Sequence, residues 1–148
     1  MKLVIVESPT KATTFKKYLG DGYEVKASVG HIRDLATTGK GGLGIDVEND
    51  FKPNYIINED KKKVVRDLKS AAKKADEVLL ATDPDREGEA IAWHIAEVLN
   101  LDVSKTKRLS FHEITKQSIT TAIENPVSID MNLVSSQETR RIVDRISG

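Results

Sequence analysis

Cysteine is absent from this chain of 148 residues, which excludes a disulfide scaffold and a thiolate metal site. No apolar run reaches the roughly 18 residues that a transmembrane helix needs, and the run that follows Met1 and Lys2 is too short for a signal peptide. Aromatic residues make up only 5% of the chain, and the formal net charge is zero. A uniformly basic nucleic-acid coat is therefore excluded, and we expect a cytosolic, globular protein with no membrane association.

The charge is distributed unevenly although its sum is zero. Residues 61–74 hold seven basic side chains and one acidic one, whereas residues 75–90 hold six acidic side chains and one basic one. Apolar residues recur at helical spacing between the lysines, so the basic stretch is typical of a solvated helix face. The acidic stretch includes a predicted strand and needs a separate explanation.

Short β-rich runs alternate with segments of helical periodicity. The predicted strands are residues 3–6, 23–27, 78–82 and 108–111, with a further strand near 55–57. The predicted helices are residues 10–19, 60–75, 87–99, 115–124 and 132–146. Residues 28–59 are otherwise rich in glycine and predict loops. This alternation indicates an α/β fold, with a mostly parallel sheet of about four strands flanked by helices and with helices at the C-terminus.

Acidic residues follow two of the predicted strands. Glu7 comes directly after the first strand, and Asp83, Asp85 and Glu87 follow the strand at 78–82. If these strands are parallel neighbours, their carboxyl ends bring the carboxylates to one edge of the sheet. Gathered carboxylates repel one another unless they share protons or hold a cation. Their oxygens suit Mg²⁺, which binds one or two carboxylates together with water and phosphates.

The helices that start at this edge add groups suited to a phosphate. Ser8 can cap a helix whose first turn holds Pro9, which leaves free N–H groups and Lys11 near the edge. Arg86 can hold a phosphate oxygen through two hydrogen bonds. A magnesium ion beside such a phosphate supports phosphoryl chemistry.

Simpler explanations exist for some of these residues. An Asp-Pro-Asp turn is often only a helix cap, and His94 beside Trp93 is typical of helix packing. A calcium loop that starts at Asp83 is excluded, because its twelfth position is His94 rather than glutamate. His31, which follows Gly30 in a predicted loop, is the better candidate for contact with a substrate.

Five motifs, in order along the chain, resemble one family. They are VIVESPTKA at 4–12, SVGHIRDL at 28–35, TDPDREGEAIAWH at 82–94, FHEIT at 111–115 and QETRRIVDR at 137–145. These motifs resemble those of bacterial type IA DNA topoisomerases, and the first and third resemble the Toprim motifs of that family. A short acidic signature alone is shared with primases, recombination mediators and some nucleases. The five motifs together extend over the whole chain.

The resemblance implies a Rossmann-like Toprim fold over residues 1–113 and the start of a single-strand DNA-binding domain over residues 114–148. Family members cut one DNA strand with a tyrosine, hold the 5′ phosphate covalently, pass a strand and reseal. This cycle relaxes negatively supercoiled DNA. The tyrosine lies in a downstream domain, and none of the tyrosines of this chain matches a nucleophile motif.

Roles follow from the resemblance at the matching positions. Glu7 would be the acid or base at the scissile phosphate, with Lys11 stabilising the phosphate charge and Arg86 as the clamp inferred above. The magnesium ligands would be Glu7, Asp83, Asp85 and Glu87. The path of single-stranded DNA would be lined by His31, Arg140, Arg141 and Asp144.

We therefore expect the N-terminal part of a larger, monomeric bacterial enzyme that is cytoplasmic and associated with the nucleoid. Its expected partners are single-stranded DNA, negatively supercoiled DNA and the remaining domains of the same polypeptide. Without the tyrosine, the chain alone is expected neither to cleave nor to relax DNA.

Three other interpretations stay open. Another Toprim protein, such as a primase or a nuclease, shares the acidic signature but not the motifs at 111–115 and 140–145. An aspartyl-phosphate phosphatase would use Asp83 as its nucleophile and would leave Glu7 without a role. A non-catalytic nucleic-acid-binding module would rely on the basic face at 61–74 and on residues 140–145.

Overall fold

The computed structural model describes residues 1–35, 45–46, 52–53 and 55–147. The strands are β1 Lys2–Val6, β2 Tyr23–Ala27, β3 Arg33–Leu35, β4 Ile45–Asp46, β5 Lys52–Pro53, β6 Tyr55–Ile57, β7 Glu77–Leu80 and β8 Lys107–Arg108. The helices are α1 Pro9–Leu19, α2 Lys62–Lys74, α3 Arg86–Val98, α4 Lys116–Glu124 and α5 Met131–Ser147, and a 3-10 turn at Glu59–Lys61 precedes α2. The predicted loops at 36–44 and 47–51 lie outside the described residues.

Four strands form a parallel sheet in the order β2–β1–β7–β8. In the central strand, Val4 lies opposite Val25 of β2 and Leu79 of β7. Leu79 in turn pairs with Lys107 of β8. The predicted fold class, an α/β fold with a parallel sheet flanked by helices, is confirmed.

The central strand is buried on both faces, because successive side chains of a strand point to opposite sides of the sheet. Leu3 and Ile5 face a core shared with α2, α3 and α5, and this core includes Leu68, Ile91, Ile95 and Val134. Val4 and Val6 face a second core shared with α1 and α4, which includes Phe15, Leu109 and Ile119. Among the described residues, no helix is long and apolar enough to span a membrane.

The predicted start of α1 is confirmed in detail. The side-chain oxygen of Ser8 accepts a hydrogen bond from the N–H of Lys11 at 3.2 Å, and Pro9 occupies the first turn. The helix ends at Gly20, whose φ of 71° is costly for a residue with a Cβ atom. The cap therefore fixes Lys11 in the first turn, beside the carboxyl end of β1.

Some predicted strand boundaries were wrong. The strand predicted at 78–82 ends at Leu80, and the carbonyl of Thr82 accepts a hydrogen bond from the side chain of Arg108 at 2.6 Å rather than from a neighbouring strand. The strand predicted at 108–111 is Lys107–Arg108. The strand expected near 55–57 pairs antiparallel with β3, which the glycine-rich pattern did not predict.

Candidate metal and phosphate site

Glu7 and Asp83 meet at the carboxyl ends of β1 and β7, as parallel neighbouring strands predict. The backbone N–H of Asp83 donates a hydrogen bond to Oε2 of Glu7 at 2.7 Å. The Nζ atom of Lys11 lies 2.7 Å from Oε1 of Glu7 and 3.1 Å from Oδ1 of Asp83. The ammonium group therefore lies between two carboxylates that come from distant parts of the chain.

Lys11 is buried, with only 6% of its side chain exposed. Its Nζ atom lies 5.3 Å from the ring centroid of Phe111 and 5.9 Å from that of Phe15. Burying an ammonium group is costly unless it is paired, and here two carboxylates and two aromatic faces stabilise it. A lysine held in this way contributes charge to the site rather than packing to the core.

Glu7 has spare capacity as an acceptor. Among the described residues, its Oε1 is the one buried side-chain polar atom without a hydrogen bond, because its contact with Lys11 is an ion pair that lacks hydrogen-bond geometry. The side chain of Asp83 is 57% exposed. A buried oxygen without a hydrogen bond, beside an open carboxylate, fits a hydrated divalent cation or a transferable proton.

Asp85 and Glu87 already have partners in this structure. One oxygen of Asp85 accepts the N–H of Gly88 at 2.7 Å and caps α3, as the simpler explanation of the Asp-Pro-Asp turn predicts. Glu87 lies 2.9 Å from Nε2 of His31, so two residues that were predicted to have separate roles are in contact. His94 is buried beside Trp93, as expected for helix packing, with ring centroids 4.9 Å apart.

The donor set fits magnesium, although the ligands are not all gathered. Within the described part of the chain, no group of three or more histidine, aspartate, glutamate or cysteine side chains is close enough to hold a metal ion. Magnesium often takes only one or two carboxylates and completes its shell with water and substrate phosphates. Glu7 and Asp83 can supply those two carboxylates once the ammonium of Lys11 moves from between them.

The remaining predicted site residues form no hydrogen bond or ion pair with Glu7 or Asp83 among the described residues. Arg86 is the first residue of α3 and is half-buried. Arg140 is exposed on α5. The same helix includes positions 141 and 144, but the side chains of Arg141 and Asp144 lie outside the described residues. The proposed roles of these four residues stay predictions.

The sequence interpretation missed a buried ion pair behind residues 81–85, which connect β7 to α3 and which we call the acidic loop. Arg108 is fully buried, and its Nε donates to Oε1 of Glu89 at 2.8 Å. Its other nitrogens donate to the carbonyls of Thr82 at 2.6 Å and of Asp83. Burial lowers the pKa of the Arg108 guanidinium, and the charge of Glu89 opposes that shift. The signal that was available is an arginine at the start of a predicted strand.

Glu89 extends this network to the C-terminal helices. Its Oε2 accepts the backbone N–H of Asp130 at 2.9 Å, just before α5 begins. A Cβ atom added to Gly88 would lie 1.9 Å from the carbonyl oxygen of Asp83. The acidic loop is therefore held from behind by a buried arginine and packs against α3 where only glycine fits.

The comparisons with known proteins agree with this architecture. The Toprim domain family matches residues 2–114, which contain the sheet and all of the acidic edge. The chain belongs to the Toprim family. The relatives of this Toprim chain include DNA topoisomerase 1 of Streptomyces coelicolor, 55% identical over 157 residues, and DNA topoisomerase 1 of Synechococcus elongatus, 53% identical over 158 residues.

A solved structure gives the same result. Full-length topoisomerase I from Thermotoga maritima is 52% identical, with a TM-score of 0.90, and the match covers 99% of the Toprim chain and 24% of that protein. The two relatives above are matched over 99% of the chain and over 16% and 18% of their own lengths. The Toprim chain therefore corresponds to a small part of these larger proteins.

Proposed function

We propose that this Toprim chain supplies the magnesium-binding half of the active site of a type IA DNA topoisomerase, an enzyme that relaxes negatively supercoiled DNA. The cycle would consist of transient single-strand cleavage, strand passage and religation. The observation that supports this most strongly is the cluster of Glu7, Asp83 and Lys11 at one edge of the sheet. Two carboxylates and an ammonium within 3.1 Å can serve both a cation and a phosphate.

Glu7 would transfer the proton at the scissile phosphate. When a tyrosine from another domain takes the 5′ phosphate, the 3′ oxygen leaves and needs a proton. Glu7 would donate that proton during cleavage and take it back during religation. Its Oε1 lies 2.7 Å from the ammonium of Lys11, so movement of Lys11 toward the phosphate would leave this oxygen able to carry the proton.

Lys11 and Arg86 would stabilise the charge of the phosphate. The ammonium of Lys11 now lies between two carboxylates, and it would turn toward a phosphate oxygen once substrate is bound. Arg86 would add a two-pronged contact. Bound magnesium, held by Glu7, Asp83, Asp85 and Glu87, would neutralise developing phosphate charge and orient the strand for religation.

The DNA path would run across His31 toward α5, where Arg140, Arg141 and Asp144 would line it. In this proposal, residues 1–113 form the Toprim domain and residues 114–148 begin a single-strand DNA-binding domain. The remaining domains, a monomeric state and a cytoplasmic, nucleoid-associated location belong to the same proposal. The aspartyl-phosphate phosphatase is less well supported, because Glu7, which accepts the backbone N–H of Asp83, would have no role in it.

A domain graft tests this function. We would replace the matching segment of the Thermotoga maritima enzyme with this chain and measure Mg²⁺-dependent relaxation of a supercoiled plasmid. The graft is expected to relax DNA, and Glu7→Gln and the pair Asp83→Asn/Asp85→Asn are each expected to lower the rate by at least about ten-fold. Asparagine caps helices as well as aspartate does, so the pair of changes preserves α3.

The matched control is Asp76→Asn, an acidic residue at the opposite end of the sheet, which should leave the rate unchanged. The chain by itself should give no relaxed plasmid. A folded graft that fails to relax DNA, or that relaxes it equally well without the three carboxylates, would contradict the proposal.

A further inference from the structure

The exposed face of α2 carries basic side chains that have no role in the proposed active site. Arg66, Lys69 and Lys73 are exposed, whereas Leu68 and Ala71 on the opposite side of the helix are 1% and 6% exposed. At about 100° per residue, these three cations and Lys62 lie within an arc of about 60° on the helix surface. We call Lys62, Arg66, Lys69 and Lys73 the α2 stripe.

The charge of the α2 stripe is poorly neutralised within the protein. Lys62 forms an ion pair with Glu59 at 2.8 Å, and both side chains are largely exposed. The other three members form no ion pair with any residue that the structure describes. Asp67, the one acidic residue of the helix, is bound instead to Lys26 of β2 at 2.9 Å. Like charges three and four residues apart repel, so a polyanion laid along this face would relieve the repulsion.

The α2 stripe begins beside the acidic edge. The N–H of Asn58, just before α2, donates to the carbonyl of Ile32 at 3.0 Å, and the Asn58 side chain donates to the carbonyl of His31 at 3.4 Å. His31 in turn contacts Glu87 in the first turn of α3. With a rise of 1.5 Å per residue, the stripe then extends about 16 Å away from that edge.

We propose that the α2 stripe binds the phosphate backbone of duplex DNA and forms a second DNA contact beside the active site. Measured along the duplex axis, the stripe spans about five phosphate steps of about 3.4 Å each. Because each strand winds around that axis, a straight stripe would contact about three of these phosphates. The contact would be independent of base sequence. DNA is favoured over other polyanions because the relatives are DNA topoisomerases, and in this respect the inference rests on the proposed function.

Salt-dependent binding tests the inference on the chain itself. Affinity for a short, blunt duplex would be measured by fluorescence anisotropy from low to moderate salt, without magnesium. For three phosphate contacts, the slope of log K against log salt should be about −3. The variant Arg66→Gln/Lys69→Gln/Lys73→Gln should lose most of that slope, at about one unit for each contact removed. Amide NMR shifts on adding the duplex should cluster at residues 62–74.

The matched control is Lys16→Gln/Lys17→Gln/Lys105→Gln, which removes the same charge from exposed positions on α1 and before β8. It should keep the slope of the unmodified chain. Equal losses in both variants, no binding of duplex, or binding to vesicles of anionic lipid in preference to duplex would overturn the inference.

Titrations with magnesium and with duplex DNA separate this inference from the proposed function. Magnesium-induced shifts at Glu7 and residues 83–88 that persist alongside a failure to bind duplex would refute the α2 contact alone. Duplex binding through α2 with no magnesium response, even in the presence of single-stranded DNA, would refute the proposed active site alone.

Discussion

The two ends of the parallel sheet hold their charges in opposite ways. At the amino end, the N-terminal ammonium pairs with Asp76, and Glu77 pairs with Lys2 at 3.4 Å and with Lys107. These pairs lower the pKa of Asp76 and of Glu77. At the carboxyl end, Lys11 is shared by Glu7 and Asp83, and further carboxylates follow in the same loop.

The difference lies in the balance of charge and in what supports it. At the amino end, Asp76 and Glu77 each have a cation as partner, and these pairs are exposed enough to contribute little to stability. Carboxylates outnumber the single ammonium at the carboxyl end, and the buried pair of Arg108 and Glu89 holds the loop that carries them. An excess of negative charge that is fixed by a buried scaffold is suited to an external cation, whereas neutralised exposed pairs are not.

The largest expected effect on stability comes from breaking the buried ion pair of Arg108 and Glu89. Arg108→Met should lower the free energy of unfolding by about 3–5 kcal/mol, because it leaves Glu89 buried without its partner and several carbonyls without a donor. The adjacent Lys107→Met, which breaks an exposed pair at the amino end, should cost less than about 1 kcal/mol. Urea unfolding monitored by circular dichroism measures both, and similar losses would contradict the contrast between the two ends.

The next effect concerns the packing of the acidic loop. Gly88→Ala places a Cβ atom 1.9 Å from the carbonyl oxygen of Asp83, so it should destabilise the protein by about 2–3 kcal/mol although alanine favours helices. Gly22→Ala, at a φ of 91° with no atom within 4 Å, should cost about 1 kcal/mol from backbone strain alone. Thermal unfolding that ranks Gly22→Ala as the more harmful change would show that the loop yields easily.

A smaller effect is expected on the affinity for cations. Lys11→Met removes the ammonium from between Glu7 and Asp83, so Mg²⁺ should bind about ten-fold more tightly, a difference of about 1.4 kcal/mol. Isothermal titration calorimetry measures the affinity, and Lys16→Met on the exposed side of α1 should leave it unchanged. Weaker binding by Lys11→Met would show that Lys11 supports the metal rather than competing with it.

The smallest effect belongs to the amino end and depends on pH. The hydrogen bond from Lys107 holds the pKa of Glu77 below its ordinary value. Its contribution to stability is therefore present at neutral pH and disappears as the pH falls below about 4 and through the pKa in the folded protein. Glu77→Gln should cost less than about 1 kcal/mol at pH 7 and nothing near pH 2.

Exposed Glu124 provides the control for this last prediction, since Glu124→Gln should leave the melting temperature unchanged at both pH values. A loss for Glu77→Gln that grows as the solution becomes more acidic would have the wrong sign and would contradict this account of the pair.

Local patterns predict most of the strands and a parallel sheet, which has one carboxyl edge. They do not predict which strands are neighbours, so the approach of Glu7 to Asp83 was expected only on the condition that β1 and β7 are adjacent. The Ser8 cap follows from three consecutive residues. The contact of His31 with Glu87 depends on how the loop after β2 folds back, and neither residue carries a local signal for it. The sequence around Arg108 shows only one charge at a strand boundary. Its partners could not be predicted, because they come from three separate segments of the chain.

The most direct test of the central claim is an amide-resolved NMR titration of the chain with Mg²⁺. It would be repeated on Asp83→Asn/Asp85→Asn and in the presence of a single-stranded oligonucleotide. We expect shifts that cluster at Glu7, Lys11 and residues 83–88, that grow when the oligonucleotide supplies phosphate, and that vanish in the double variant. Shifts that cluster instead at Asp76 and Glu77, or that persist without the two aspartates, would contradict the claim that the carboxyl edge is the cation site.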